Sequence, residues 1–272
     1  MNKLSTEKRV QVIKCLVEGN SIRSTVRITG IAKNTVVKLL KDVGKVCSEY
    51  QDKAFRNLTC KRLQCDEIWS FCYAKEKNVP AKLKGQFGYG DIWTWTAIDA
   101  DTKLVPSWLI GDRSYETAKL FIDDLASRLK NRVQLTTDGH KAYVEAVEDS
   151  FGPDIDYAML IKIYGSALEE EKRYSPAKII DTERKKIMGN PDPNYISTSY
   201  AERQNLTMRM SMRRFTRLTN GFSKKIENLK AALALHFAYY NFMRIHQTLR
   251  VTPAMEAGIT EHIWGWEELI QL

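Results

Sequence analysis

The chain has 272 residues, 43% of them hydrophobic and 28% charged, enough for one large globular domain and a smaller one. Its net charge of +9 is uneven: residues 1–62 carry 14 Lys/Arg against 5 Asp/Glu, whereas residues 63–272 carry 28 of each. No uncharged apolar stretch approaches the roughly 20 residues that span a bilayer, and the polar start (Lys3, Glu7, Lys8, Arg9) predicts no secretory leader.

The first elements in chain order are helices. Val10, Ile13, Leu16 and Val17 share one face of a helix over 5–18, with Ser5 as N-cap. A short helix over 22–28, a turn at Gly30 and a third helix over 32–43 complete a helix-turn-helix pattern. Its second element presents Lys33, Asn34, Thr35 and Lys38 near its start, where recognition helices meet bases and phosphates. Residues 1–46 are therefore expected to form a DNA-binding domain, followed over 47–62 by a polar linker that is either a helix or an extended connection.

From residue 63 the pattern is that of a mixed α/β domain. Strands are expected over 63–73, 92–99, 104–110, 132–137 and 157–163, with helices over 115–130 and 141–149. Asp99 to Thr102 is read as a hairpin turn. Residues 165–198 are polar and irregular, a loop length that is uncommon unless functional or mobile. Helices over 199–217 and 223–243 come next, and residues 246–272 form a C-terminal tail. Residues 199–230 are locally basic again, with 8 Lys/Arg against Glu202 and Glu227. Two separated basic regions point to two contacts with a polyanion, most simply DNA.

Three acids stand out by context. Asp66 interrupts an apolar run, Asp138 ends a second one, and Glu202 heads the basic helix that continues through Asn205, Leu206, Arg209 and Arg213. Carboxylates that converge are unfavourable without a cation, so the trio implies a divalent metal, Mg²⁺ or Mn²⁺, and phosphoryl transfer by two ions. Five cysteines without a C-x-x-C pair suggest no disulfide framework, and four scattered histidines offer no zinc site. Cys15 and Cys65 read as small core residues and the protein as reduced and cytoplasmic, nucleoid-associated when bound.

Residues 66–71 (Asp-Glu-Ile-Trp-Ser-Phe), 136–143 (Thr-Thr-Asp-Gly-His-Lys-Ala-Tyr) and 197–221 resemble bacterial insertion-sequence transposases of the DDE class, most closely the group typified by insertion sequence one. The segment Tyr240 to His246, with Leu249 and Thr252-Pro253-Ala254, is similar to the region after the last catalytic helix of integrase-core transposases. The resemblance covers about 63–258. It implies an α/β, ribonuclease H-like catalytic domain over 63–245, built on a mixed five-stranded sheet with flanking helices and preceded by the all-α helix-turn-helix domain. In such a sheet the first and fourth strands are neighbours, which would set Asp66 beside Asp138. The resemblance also implies metal-dependent cleavage at the element's terminal inverted repeats, attack of the freed 3′-hydroxyl on target DNA, and a homo-oligomeric synaptic complex. By motif, Asp66, Asp138 and Glu202 are the catalytic metal ligands. Arg203, Arg209, Arg213, Arg214 and Arg217 join the helix-turn-helix residues as DNA contacts.

Two features depart from that group: the cysteine-rich zinc finger many members carry is absent, and the 64-residue gap from Asp138 to Glu202 is long. The 165–198 segment, with Lys178, Arg184, Lys185 and Lys186, is either a DNA contact or a solvated insertion. Competing readings are a helix-turn-helix transcriptional regulator with a non-catalytic α/β domain and a non-transposing ribonuclease H-like nuclease. The first has no need of three acids in these contexts, and the second has no need of a sequence-specific N-terminal domain.

Overall fold

A strand buried along most of its length, β1 (Arg62–Cys72), organises the architecture seen in the computed structural model, which describes residues 4–165, 179–216 and 220–272. It pairs antiparallel with β2 (Gly90–Asp99), which pairs antiparallel with β3 (Ser107–Gly111). On its other side β1 runs parallel to β4 (Val133–Thr137), and β4 runs parallel to β5 (Ile155–Tyr164). The sheet order is β3-β2-β1-β4-β5-β6, so the first and fourth strands are neighbours, as expected.

The sheet has six strands rather than five. The sixth, β6 (Ile179–Met188), lies antiparallel on β5, inside the segment read as irregular. Ile179 to Lys186 are exposed on both faces, so β6 lacks the apolar alternation that marks a half-buried strand. Its charged residues suit an edge strand. The third strand also starts later than expected, because Leu104-Val105-Pro106 serves as the buried return from the turn. That turn is at the expected position: the Asp99 carboxylate accepts hydrogen bonds from the Asp101 N–H at 3.1 Å and the Thr102 hydroxyl at 2.8 Å.

Helices α1 (Thr6–Val17), α2 (Ile22–Thr29), α3 (Lys33–Ala54), α4 (Tyr115–Arg128), α5 (Ala142–Phe151), α6 (Ser199–Ser211) and α7 (Ile226–Phe242) flank the sheet or join one another, followed by the short α8 (Pro253–Glu256) and α9 (Trp266–Gln271). Two helices differ from expectation. Residues 47–54, read as a linker helix or an extended connection, are helical and continue α3 for two further turns, with Cys47 and Gln51 on the buried side. The segment expected as one helix over 199–217 ends at Ser211 and gives way to a single 3₁₀ turn over Arg213–Phe215. Arg213 therefore does not continue the α6 face.

The long contact of α3 with α7 ties the N-terminal helices to the rest. Gln51 Nε2 donates to the Ala234 carbonyl at 3.1 Å, and a Cβ on Gly44 would lie 2.5 Å from the Ala231 carbonyl oxygen. The residues after 245 pack as well: the Trp264 ring stacks on Phe242 at 4.3 Å, and Arg9 Nη2 donates to the Ile270 carbonyl at 3.0 Å. Among the described residues, no helix is long and apolar enough to cross a membrane. All five cysteines are free thiols; Cys65 is buried as expected, and Cys15 is only half-buried.

Because bulk at Gly44 must push two helix backbones apart, Gly44→Val is expected to destabilise the protein by about 1–3 kcal/mol. Urea denaturation checks this, and an unchanged midpoint would contradict the α3–α7 packing.

Candidate active site

The last pair in the β1–β4 register is Cys65 with Thr137, so the next residues along, Asp66 and Asp138, leave adjacent parallel strands side by side. Here β4 ends while β1 continues, and the chain switches direction across the sheet, the position where open α/β sheets place ligands. Oxygens of Asp66, Glu67 and Asp138 lie within 4.8 Å of one another. This acidic cluster has the composition of a metal-ion site.

Each acid is held by different neighbours. Asp66 Oδ1 accepts from the Glu67 N–H at 2.8 Å, and Asp66 Oδ2 accepts from Asn205 Nδ2 on α6, also at 2.8 Å. Asp138 Oδ1 accepts from the His140 N–H at 2.9 Å, so Asp138-Gly139 is both a turn and the support of a carboxylate. Glu67 is on the other face of β1, where both its oxygens are engaged. Arg113 Nε donates to Oε1 at 2.6 Å and the Tyr143 hydroxyl to Oε2 at 3.2 Å. Arg113 Nη2 also stands 3.8 Å from Asp138 Oδ2, so one guanidinium spans the two acids.

The electrostatic outcome is unfavourable for three negative charges. Burial, then the charges of Glu67, Asp138 and Glu202, push Asp66 up to about 7, against the pull of the Glu67 N–H. Burial and Asp138 likewise push Glu67 up to about 7, against the opposing pull of Arg113 and Tyr143. His140 is shifted down, first by burial and then by Arg113. Its place two residues after Asp138 in the sequence suggests either a group that assists near the metals or, more often, a solvent-facing neighbour. It is instead half-buried, 5.7 Å between ring centroids from Trp95 and 6.0 Å from Tyr143, and its Nε2 has no partner among the described residues.

Of the three acids singled out, Asp66 and Asp138 are together and Glu202 is outside the 4.8 Å cluster. Glu202 is near enough to raise Asp66, but its carboxylate is ion-paired with Lys162 of β5 and accepts from the Thr198 hydroxyl. Among the basic candidates, Lys33, Asn34, Thr35 and Lys38 are on the first turns of α3, with Lys38 paired to Asp42. Arg203 is exposed and Arg209 half-buried on α6, and Arg213 and Arg214 are in the 3₁₀ turn beyond it. Arg184, Lys185 and Lys186 are exposed on β6; Arg217 and Lys178 lie outside the described residues.

Sequence reasoning missed Arg113, Tyr143 and Lys162. Nothing local marks them, since each reaches an acid more than 35 positions away. Asn205 was legible in part, one helical turn after Glu202.

No protein-family model matches the sequence, and no curated protein matches it. Among solved structures, the chain is similar to a piggyBac transposase synaptic complex with hairpin DNA, at 10% identity and a TM-score of 0.47, covering 99% of this chain and 72% of that one. It is also similar to the Mos1 strand transfer complex, at 11% identity and a TM-score of 0.26, covering 86% and 78%. Likenesses this distant carry no functional weight.

The raised carboxyls set a pH dependence. A carboxyl with a higher pKa folded than unfolded destabilises the fold as pH rises from about 4 through 7, because the folded protein must give up protons it holds more tightly. A divalent cation reverses the penalty. Mn²⁺ is therefore expected to raise the melting temperature more at pH 8 than at pH 5.5, and Asp66→Asn to abolish the difference. Equal Mn²⁺ effects at both pH values would contradict the crowding of the carboxylates.

Proposed function

We propose that this chain is a DDE-type DNA transposase with a ribonuclease H-like core, which binds the terminal inverted repeats of a bacterial insertion sequence and joins its ends to target DNA. The observation that supports it most is the meeting of Asp66 and Asp138 at the switch between β1 and β4, with the helix bearing Glu202 packed across β1. The strand order and the two basic regions of the sequence agree with this reading. The helix-turn-helix over 1–46, the ribonuclease H-like domain over 63–245 and a synaptic homo-oligomer belong to the same proposal.

Carboxylate oxygens that are crowded and only partly compensated, with Asp66 shifted upward, fit a hard divalent cation such as Mg²⁺. Asp66 and Asp138 would hold it, with Glu202 as the third ligand once it leaves Lys162. A bound divalent ion supplies activation of an attacking hydroxyl and neutralisation of the scissile phosphate. The chain's own part is positioning. Asn205 fixes the Asp66 carboxylate, the His140 amide fixes Asp138, and Arg113 with Tyr143 keeps Glu67 on the far face. Residues of this kind, which orient ligands without touching the metal, typically matter 10–100-fold.

The test combines purified protein, Mg²⁺ or Mn²⁺ and a labelled duplex taken from the DNA that flanks the gene, assayed for nicking and strand transfer. Asp66→Asn and Asp138→Ala are expected to abolish both steps, and Asn205→Ala to slow them about 10–100-fold. Full activity in Asp138→Ala would overturn the site. Cleavage without joining would favour the non-transposing nuclease, and binding without cleavage the regulator.

A further inference from the structure

A second feature of the fold lies away from the acids. The turn between α1 and α2 and the first turns of α3 face residues 212–214 and 220–225 across a cleft of about 1080 Å³. Arg23, Lys33 and Lys41 line one wall, and Arg214, Lys224 and Lys225 the other. Asp42 is the one acid among the described lining residues, and it is already paired with Lys38. The two basic regions, far apart in sequence, thus form opposite walls of one cavity.

Three further observations point to an anion between those walls. The Arg214 guanidinium donates from Nε to the Ser223 hydroxyl at 2.9 Å and has no carboxylate within ion-pair distance among the described residues. Burial pulls its pKa down to about 10. Helix α3 has Ala32 at its N-cap with no side-chain cap, and its first backbone bond is from Val36 to Ala32. The amides of Lys33, Asn34 and Thr35 are thus left for an outside acceptor, a ready anion site. His236, 4% exposed at the cleft floor, has an Nε2 with no partner among the described residues.

We propose that this cleft receives the phosphodiester backbone of duplex DNA, gripped from both sides by the start of α3 and by Arg213, Arg214 and residues 220–225. The inference rests on the DNA-acting function above and changes its geometry. The two basic regions hold one stretch of backbone, rather than making two separate contacts. The wall also has a fixed offset from the acids. Ser223 bridges to Cys72, six residues along β1 from Asp66. At about 3.3 Å per residue that is roughly 20 Å, or about six base pairs of duplex at 3.4 Å each.

Fluorescence anisotropy with the full chain, a 30-base-pair duplex and EDTA reads binding without any cleavage. Wild type is expected to lose affinity linearly with log salt, and each of Lys33→Gln and Lys225→Gln to flatten that slope by about one unit. Arg214→Gln is expected to weaken binding at least as much, and the two lysine variants keep the test meaningful if it misfolds. Lys33→Gln and Lys225→Gln with wild-type affinity and slope would overturn the cleft. So would flattening of the slope for single-stranded DNA only. Failure of the transposase reading looks different: cleavage is absent while the cleft-dependent slope persists. Ethylation interference supplies the second readout, with the sensitive phosphates expected about six nucleotides from the cleaved bond; interference adjacent to that bond alone would also overturn the proposal.

Discussion

Three carboxylates pressed into one corner of the sheet are the constraint around which the rest of the molecule is arranged. Parallel pairing of β1 with β4 puts Asp66 beside Asp138, and strand continuity adds Glu67 on the reverse face. Like charges this close cost free energy in a half-buried setting, and the fold answers with partial measures. Arg113 spans Glu67 and Asp138, Tyr143 and Asn205 donate to single oxygens, and two of the acids are pushed toward neutrality. None of these measures places a full positive charge between Asp66 and Asp138. A divalent cation does.

Lys162 belongs to the same balance. Its ammonium sits on Glu202, so that acid has a cation of its own, whereas Asp138 shares Arg113 with Glu67 and Asp66 is ion-paired with no cation among the described residues. Exchange of Glu202 from Lys162 to a shared cation would bring α6 and β5 into the chemistry together. The helices serve the same end at longer range. Packing of α3 on α7 fixes the N-terminal helices against the α/β body, and the α1–α2 turn abuts the end of α6, where a Cβ on Gly19 would meet the Ser211 carbonyl at 2.7 Å. The basic head and the basic segment after α6 therefore face each other across a cleft.

Legibility in the sequence followed the physics. Asp66 and Asp138 were readable because an acid inside an apolar strand is anomalous wherever it occurs. Their adjacency was readable only through a resemblance that supplied the strand order. The sixth strand was not readable, because an edge strand exposed on both faces has no hydrophobic period, and its Thr-Glu-Arg-Lys-Lys run looks like a loop. The extension of α3 was legible only as one of two readings, a linker helix or an extended connection, because the polar Glu49, Asp52 and Lys53 outweigh the few residues that face α7. Arg113, Tyr143 and Lys162 act across the fold, so only the three-dimensional arrangement reveals them. The face shared by Glu202 and Arg213 was expected from helical spacing and failed because α6 stops at Ser211.

Whether Asp66 and Asp138 jointly hold a divalent cation is tested most directly by anomalous scattering from a Mn²⁺-soaked crystal. A peak is expected between the two carboxylates, with Glu202 turned from Lys162 toward the ion and Glu67 still bound to Arg113 and Tyr143. Saturating Mn²⁺ with no peak there, or a peak coordinated by Glu67 in place of Asp66, would contradict a shared site.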